Sequence, residues 1–155
     1  MTKKDSSPPP RTSRPAPSTL SAGVVVVRQI ADKRNYLLLR AYSYWDFPKG
    51  EVEPGEEPGH AACREVEEET TLRDLDFRWG KIFRETEPYG RGKVARYYLA
   101  ESPDGEVSLP VSAKLGKPEH DEFRWLDYDA ARELLVPRVQ AILDWADEIT
   151  KRNRR

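Results

Sequence analysis

The sequence predicts an α/β protein in which helices pack against the faces of a mixed β-sheet. Two observations carry this prediction. Apolar, strand-forming segments stand before and after a central acidic segment whose small apolar residues suit a helix. A further run of apolar residues at helical spacing extends from Val136 nearly to the end of the chain. Strands on either side of one helix, followed by more helices, are typical of a sheet covered by helices.

The first elements are two strands and the central helix. The segment "SAGVVVVRQI" at 21–30 is largely apolar and β-branched, which indicates a buried strand. A turn follows, and "YLLLRA" at 36–41 gives a second strand. The helix is expected to begin near Glu57 or Pro58, because proline is well tolerated in the first turn of a helix.

The later elements are a hairpin, a strand and two helices. Segments 76–86 and 93–101 have strand character and flank the loop "EPYGRG", which contains two glycines and predicts a hairpin. Residues 122–128 indicate another short strand. The segment "DAARELL" indicates a short helix, and the apolar spacing after Val136 indicates a final one.

Length and composition predict one folded domain behind a tail. The chain has 155 residues, of which 37% are hydrophobic and 34% charged, and this length suits a single domain with a core. Residues 1–20 are rich in Pro, Ser and basic residues and offer little to bury, so they are expected to be a disordered tail. The folded domain is expected to span residues 21–150.

Charge and cysteine content narrow the class of protein further. A net charge of −1 gives no reason to expect a protein that coats nucleic acid or a membrane surface. No apolar run reaches the roughly 20 residues of a membrane span. The single cysteine, Cys63, excludes an intrachain disulfide and fits a reducing compartment. Because no apolar segment typical of a secretory signal is present, the protein is expected to be cytoplasmic.

The central acidic segment concentrates like charges on one helix face. Glu65, Glu68 and Glu69 occupy positions i, i+3 and i+4, which share a face, whereas Glu67 points away. Their repulsion costs the helix about 0.2–0.5 kcal/mol per close pair. Carboxylate oxygens are the ligands that Mg²⁺ prefers, so the pattern indicates a metal site, with a solvated acidic face as the alternative. Arg64 is expected to hold one of the carboxylates through a bidentate pair.

These acids belong to a longer pattern, G-x(5)-E-x(7)-R-E-U-x-E-E-x-G-U, in which U is a bulky apolar residue. The chain fills it with Gly50, Glu56, Arg64, Glu65, Glu68 and Glu69, and with Val66 and Leu72 at the apolar positions. This pattern is the Nudix box, and the chain resembles the Nudix hydrolases over residues 21–145. Thr71 departs from the pattern, because the family has glycine there. A β-branched residue adopts the left-handed conformation poorly, so the exit from the helix is expected to be altered.

The resemblance implies a fold, a reaction and a cofactor. The fold is an α/β/α sandwich with a central mixed β-sheet. The reaction is metal-dependent attack of water on a pyrophosphate linkage in a nucleoside diphosphate joined to a further group. The resemblance also implies that Glu65, Glu68 and Glu69 bind Mg²⁺, or Mn²⁺ in its place, with the Gly50 carbonyl as another ligand. Glu56 is implied as a nearby ligand or a support.

The segments that flank the box are similar to those of asymmetric diadenosine tetraphosphate hydrolases. The stretch "YWDFPKGEVEPGEE" shares with them an aromatic pair and "PKG" leading into "EPGE". The resemblance implies that Lys49 meets phosphate and that Tyr44 or Trp45 packs near the nucleotide, with a core position as the alternative for Trp45. In "PEHDEFRWL" at 118–126, Glu119 is the implied extra metal ligand or general base, with a solvent-exposed loop residue as the alternative.

The predicted hairpin loop lies where that subfamily contacts its ligand. The resemblance implies that Tyr89 stacks on an adenine, that Lys93 meets the polyphosphate and that Tyr97 forms a hydrogen bond within the site. Alternation along a strand places Tyr97 and Tyr98 on opposite faces of the sheet, so only one of them can face the ligand. Tyr97 is the one expected to do so.

The function expected from the resemblance is Mg²⁺-dependent hydrolysis of diadenosine tetraphosphate to ATP and AMP. Three other substrates stay open: the 5′ end of RNA, which would make nucleic acid a partner, oxidised nucleoside triphosphates, and diphosphoinositol polyphosphates. A non-catalytic Nudix module that senses nucleotides is an alternative of another class. The filled acidic positions favour an enzyme over such a module. The sequence leaves the oligomeric state open.

Overall fold

The computed structural model describes residues 19–152, so the tail predicted for 1–20 lies outside it except for its last two residues. Thr19 and Leu20 belong to the first strand rather than to a tail. No helix within the described range is long and apolar enough to cross a membrane. The strands are β1 (Thr19–Ile30), β2 (Lys33–Ala41), β3 (Tyr44–Asp46), β4 (Lys49–Glu51), β5 (Phe83–Glu85), β6 (Lys93–Glu101) and β7 (Glu122–Leu126), and the helices are α1 (Pro58–Thr70), α2 (Tyr128–Leu134) and α3 (Pro137–Arg152).

Strand β1 lies in the middle of a seven-stranded sheet and joins its parallel and antiparallel parts. It runs parallel to β6, from the pair Thr19–Lys93 to the pair Val27–Glu101. Along its other edge it pairs antiparallel with β4 near its start and with β2 near its end. Strands β3 and β7 both pair antiparallel with β2. The predicted mixed sheet is therefore confirmed.

Helices cover both faces of this sheet. Successive side chains of a strand point to opposite faces, and β1 follows this rule with buried residues on both sides. Val24 and Val26 pack in the cluster that contains Val66 of α1, whereas Val25 packs in the cluster that contains Ile142 of α3. The three layers form the α/β/α sandwich that the sequence predicts.

The predicted hairpin is present, but its first strand is much shorter than expected. Only Phe83–Glu85 of the predicted strand 76–86 forms β5, which pairs antiparallel with β6. Upstream, Gly80 has a φ of 95° and follows a turn, a conformation that a regular strand does not contain. Aromatic and apolar residues in 77–82 gave this segment the composition of a strand without its backbone. Strands β3 and β4 were not predicted.

Helix α1 begins and ends where the sequence indicates. Pro58 is its first residue, as expected. At its end, Thr71 takes the left-handed conformation, with φ 65° and ψ 5°, and its backbone N–H donates to the Glu67 carbonyl. The Thr71 hydroxyl also lies 3.2 Å from the Glu106 carbonyl oxygen. The expected alteration of the helix exit is therefore wrong, because threonine adopts the conformation that glycine has in the family pattern.

The connection between β6 and β7, residues 102–121, is fastened at both ends. At its start, Arg28 Nη2 donates to the Ser102 hydroxyl at 2.9 Å, and that hydroxyl donates to Asp74 at 2.6 Å. At its end, the Asp121 backbone N–H donates to the Arg40 carbonyl at 2.7 Å. The connection is therefore held to β1 and β2 at its two ends.

Candidate active site

A cavity of about 680 Å³ lies between α1 and the β6–β7 connection. Acidic residues of the motif form one wall, and the connection forms the other. Glu67 lies outside the cavity and pairs with Arg73 at 2.8 Å. The lining residues are Gly50, Glu51, Glu53, Arg64, Glu65, Glu68 and Glu69 on the motif side, and Leu109, Pro110, Val111, Ser112, Ala113, Lys114, Glu119 and His120 on the connection.

Glu56 supports the site from behind and does not line the cavity. Arg64 Nε donates to Glu56 Oε2 at 2.8 Å and Arg64 Nη2 donates to Glu56 Oε1 at 2.9 Å, so the bidentate pair expected with an acid of the cluster forms with Glu56 instead. The Glu53 backbone N–H also donates to Glu56 at 3.0 Å. The hydrogen bonds from Arg64 lower the pKa of Glu56 to about 2. Since both its oxygens are engaged, the geometry fits a support better than a metal ligand.

Glu65 is held between Arg64 and the backbone of Gly50. Arg64 Nη1 donates to Glu65 Oε2 at 2.9 Å. A Cβ at Gly50 would lie 2.1–2.4 Å from the three carboxylate atoms of Glu65, so only glycine leaves room for this carboxylate. The glycine of the motif therefore has a steric reason in this chain.

Glu69 is the most deeply buried acid of the site, with only 5% of its surface exposed. Its Oε1 accepts a hydrogen bond from the Lys49 backbone N–H at 3.2 Å, and its Oε2 is buried without a partner among the described residues. Burial raises the pKa of Glu69 well above its usual range, and the nearby carboxylates of Glu119 and Glu65 raise it further. An acid in this position needs a proton or a cation.

The chemistry of the donor set suits a divalent cation, because carboxylate oxygens line one cavity and Glu69 Oε2 is buried without a partner among the described residues. Glu65, Glu68 and Glu69, with the Gly50 carbonyl, would hold the ion. Within residues 19–152 no group of three or more His, Cys, Asp or Glu side chains has the arrangement of a metal site, and Arg64 Nη1 lies against both Glu65 and Glu68. When bound, such an ion neutralises phosphate oxygens and lowers the pKa of a bound water.

Two residues of the β6–β7 connection face the acids across the cavity. Glu119 lines the cavity and is close enough to Glu69 to raise its pKa. His120 beside it is partly buried, and burial lowers the pKa of its imidazole. The fold thus brings Glu119, which lies fifty residues from Glu69 in the sequence, to the same cavity.

The residues predicted to bind substrate divide into two groups, and none of them lines the cavity. Tyr44 and Lys93 are exposed and Tyr89 is partly buried, so a ligand can reach them. Trp45 and Tyr97 belong to the core, with 7% and 0% exposure. The expectation that Tyr97 faces the ligand is wrong, because Tyr97 is fully buried and its hydroxyl donates to Asp46 at 2.8 Å. Trp45 has the core position given as its alternative.

Lys49 has neighbours both in the acidic cavity and among the exposed tyrosines. Its backbone N–H contacts Glu69, and its ammonium lies within electrostatic reach of Asp46, Tyr89, Glu69 and Tyr44. Lys49 therefore connects the acidic cavity with the exposed tyrosines.

The sequence analysis does not identify three side chains that lie near the site. Arg138 of α3 donates to the Tyr44 hydroxyl and lies over the Tyr89 ring, 3.9 Å from its centroid. The one signal for Arg138 is its place in the first turn of a helix, where the helix dipole disfavours a positive charge. Lys114 of the cavity wall and Asp46 behind Lys49 carry no signal in the sequence.

The fold and the acidic cavity suit the class of enzymes that bind a divalent cation through carboxylates, and the comparisons with known proteins give the family. The NUDIX domain family matches residues 18–146. An asymmetrical bis(5′-nucleosyl)-tetraphosphatase of Caenorhabditis elegans is 32% identical over 117 residues, which cover 72% of this chain and 80% of that protein. An RNA pyrophosphohydrolase of Erythrobacter litoralis is 30% identical over 129 residues, which cover 74% of each chain.

A solved structure agrees on the fold. The crystal structure of a C. elegans Ap4A hydrolase binary complex superposes with a TM-score of 0.73, covering 86% of this chain and 98% of that one, at 24% identity. At this identity the likeness shows the fold alone. The chain belongs to the Nudix family, and it is a pyrophosphohydrolase of the kind that requires a divalent cation.

Proposed function

We propose that the protein hydrolyses diadenosine tetraphosphate to ATP and AMP with Mg²⁺ as the cation. The observation that carries the proposal is the position of Lys49, whose backbone N–H donates to Glu69 and whose ammonium lies within electrostatic reach of Tyr44 and Tyr89. A substrate with adenosine at the end of a polyphosphate chain suits this arrangement. Its phosphates would meet the cation and Lys49, and its base would meet a tyrosine ring. The similarity to the C. elegans tetraphosphatase supports the same substrate.

The acidic wall is assigned to the cation. Glu65, Glu68, Glu69 and the Gly50 carbonyl hold Mg²⁺, and Mn²⁺ can replace it. Arg64 and Glu56 do not touch the substrate. Arg64 keeps Glu65 in place, and Glu56 in turn fixes Arg64 through two hydrogen bonds.

We assign the wall formed by the β6–β7 connection to activation of the attacking water. We assign the exposed aromatic residues to substrate binding. Glu119 acts as the general base that takes a proton from the attacking water, since it is a carboxylate that faces the acidic wall. Lys49 and Lys93 contact phosphates of the substrate. Tyr44 and Tyr89 contact its nucleoside.

A substrate panel with product analysis tests this function. The purified protein with Mg²⁺ is given diadenosine tetraphosphate, 5′-triphosphorylated RNA, dNTPs or a diphosphoinositol phosphate, and the products are separated by anion exchange. ATP and AMP from the first substrate, with slow turnover of the others, is the expected result. Two molecules of ADP would contradict asymmetric cleavage.

Removal of pyrophosphate from the 5′ end of RNA is the second candidate. The similarity to the RNA pyrophosphohydrolase of E. litoralis, which extends over 74% of both chains, favours it. In the same panel, faster turnover of triphosphorylated RNA than of diadenosine tetraphosphate would select this function instead.

The domain assignment is also a proposal. We infer that the predicted domain of residues 21–150, extended to the start of β1 at Thr19, forms the catalytic unit and that residues 1–18 are not needed for hydrolysis. The family match over residues 18–146 supports this boundary. We further infer that the protein works in the cytoplasm, where its one cysteine, Cys63, stays reduced. A chain that begins at residue 19 is expected to keep full turnover.

A further inference from the structure

A buried polar pair lies behind Lys49. Asp46 and Tyr97 are 8% and 0% exposed. The Tyr97 hydroxyl and the Phe47 backbone N–H donate to Asp46 Oδ1 at 2.8 and 2.7 Å. The other oxygen of Asp46, Oδ2, lies 3.6 Å from Lys49 Nζ. Asp46 is therefore fixed to the core through one oxygen and pairs with Lys49 through the other.

The stability of the core does not require a charged residue at Asp46. Burial raises the pKa of Asp46, while Lys49 and the Tyr97 hydroxyl oppose that rise. Buried ion pairs can often be replaced by apolar residues of similar volume without loss of stability. Phe47 already packs edge-on against the Tyr97 ring, with 5.7 Å between the ring centroids. The charge of Asp46 is better explained by its effect on Lys49.

Lys49 has a second carboxylate within its reach. Its backbone N–H donates to Glu69 Oε1, and Glu69 Oε2 has no partner among the described residues. A lysine side chain is a flexible four-carbon stem, so its ammonium can turn to Glu69 and neutralise it. That contact would compete with a cation for the same carboxylate. In the structure the ammonium pairs with Asp46 instead.

We propose that Asp46, itself fixed by Tyr97, is a positioning residue that holds the Lys49 ammonium away from Glu69 and leaves it beside the site to meet a phosphate. The contact with phosphate rests on the function proposed above. The effect on cation binding does not, because it concerns only residues of this chain. Tyr97, which no ligand can touch, thereby acts on the site through two other side chains.

The variant Asp46→Asn tests the proposal, because asparagine has the same shape and still accepts from Tyr97 and Phe47. Mn²⁺ binding is measured by calorimetry without substrate, and KM and kcat are then measured on the substrate that the wild-type protein cleaves fastest. Mn²⁺ affinity is expected to fall and KM to rise, each by about 10-fold or more, while kcat at saturating Mn²⁺ changes less.

A double-mutant cycle with Lys49→Met shows whether Asp46 acts through Lys49. In the Lys49→Met background, Asp46→Asn is expected to change neither Mn²⁺ affinity nor KM further. Equal effects in both backgrounds would overturn the proposal, and so would unchanged Mn²⁺ affinity and KM in the single variant. If Asp46→Asn does not fold, Tyr97→Phe takes its place in the cycle with the same criteria.

The chain offers a matched control at Asp147. This residue accepts from the hydroxyl of buried Tyr36 at 2.8 Å and pairs with Lys151 at 3.3 Å, so it repeats the Tyr–Asp–Lys arrangement with a lysine of α3 that lies outside the acidic motif. Asp147→Asn is expected to lower thermal stability while Mn²⁺ affinity and KM stay unchanged. An equal effect of both Asp variants on Mn²⁺ affinity would contradict a role specific to Asp46. Failure of the proposed substrate would appear in the wild-type panel, whereas failure of this inference would appear in the cycle.

Discussion

The two ends of helix α1 place acidic side chains in opposite environments. Just before the helix, Glu56 receives two hydrogen bonds from Arg64, and its pKa is lowered to about 2. In the last turn, Glu69 is buried near Glu65 and Glu119 with one oxygen unpartnered in the described part of the chain. Burial and those two carboxylates raise the pKa of Glu69 well above its usual range.

The difference shows that acids of one motif can have two roles. Glu56 supports Arg64, whereas Glu69 belongs to the group that we propose binds the cation. Glu56 is neutralised by Arg64, whereas Glu69 keeps one buried oxygen without a partner in the described part of the chain. Arg64 lies at the boundary, because Nε and Nη2 hold Glu56 while Nη1 contacts Glu65 and Glu68. Glu56 and Glu69 are therefore the two extremes of the motif, because Arg64 engages both oxygens of Glu56 while Glu69 Oε2 has no partner among the described residues.

Glu69→Gln is the strongest test of this comparison. Turnover is expected to fall by at least about 100-fold, the upper end of the loss seen when even an outer partner of a metal site is removed. The metal-free variant is expected to be more stable than the wild type, because a neutral amide costs less to bury than an unpaired carboxylate. Turnover and thermal unfolding are measured with and without Mn²⁺.

The Mn²⁺ dependence gives the control for that variant. An ion at 100 times its Kd stabilises the wild-type protein by about 2.7 kcal/mol, and Glu69→Gln should remove most of this gain. A variant that keeps its turnover and its stabilisation by Mn²⁺ would show that Glu69 does not contact the cation.

Gly50→Ala should have the next largest effect. The added methyl group would meet the Glu65 carboxylate at 2.1–2.4 Å, and this flexible side chain has to move while the backbone stays. Turnover is expected to fall about 10–100-fold, with little change in the unfolding temperature.

Gly59→Ala in α1 is the matched control. There the nearest atoms to an added methyl group belong to Tyr98, at 3.7 Å, which is an ordinary contact. This variant should keep full activity and gain up to about 1 kcal/mol, because alanine is the better helix former. Equal losses of activity in both variants would argue against a specific contact between Gly50 and Glu65.

Stability of the metal-free protein should depend on pH with opposite sign at the two ends of α1. The pKa of Glu56 is lowered from 4.5 to about 2, so its contribution is present above pH 4.5 and is lost as the pH falls toward 2. The pKa of Glu69 is raised from 4.5, so its contribution falls as the pH rises above 4.5.

Urea unfolding of two variants between pH 3 and 8 measures these contributions, with the range chosen to bracket about 4.5. Glu56→Gln should be less stable than the wild type above pH 4.5 and should approach it at lower pH. Glu69→Gln should gain on the wild type as the pH rises. Parallel pH curves for all three proteins would contradict the contrast between the two ends.

Thr71→Gly should have the smallest effect. A left-handed conformation costs a residue with a Cβ roughly 1–2 kcal/mol, and glycine removes that cost but also the contact of the Thr71 hydroxyl with Glu106. A net gain of up to about 1 kcal/mol in the free energy of unfolding is expected, with turnover unchanged. Thr71→Ala keeps the strained Cβ and should show no gain. A loss of stability in Thr71→Gly would mean that the hydroxyl contact is worth more than the strain.

The sequence predicts those parts of the fold whose signal is local. Helix α1 starts at Pro58 because proline favours a first turn, and the β-branched run gives β1 its buried faces. Strands β3 and β4 have three residues each, too few for a period to appear. The segment 76–86 was predicted too long, because composition indicates a strand even where a glycine turn interrupts the backbone.

For the site too, the sequence predicts only those residues whose signal is local. Glu65, Glu68 and Glu69 share one helix face, so their spacing predicts that they lie together. Arg138 comes from the start of α3, and only the packing of α3 against the sheet brings it to Tyr44 and Tyr89. No spacing in the sequence indicates such a meeting. Burial of Tyr97 could not be predicted either, since alternation says that Tyr97 and Tyr98 face opposite sides but both sides of this sheet are covered.

The β6–β7 connection is held by hydrogen bonds at Ser102 and Asp121. The residues between these two points, which form one wall of the cavity, can therefore be replaced without loss of either anchor. Insertions or deletions after Ser108, whose backbone N–H donates to the Thr70 carbonyl at 3.0 Å, would leave the contacts with the end of α1 in place. They would have to keep Glu119, the proposed general base, in the same wall. For protein engineering, grafting this stretch from another Nudix enzyme is a direct way to redirect selectivity.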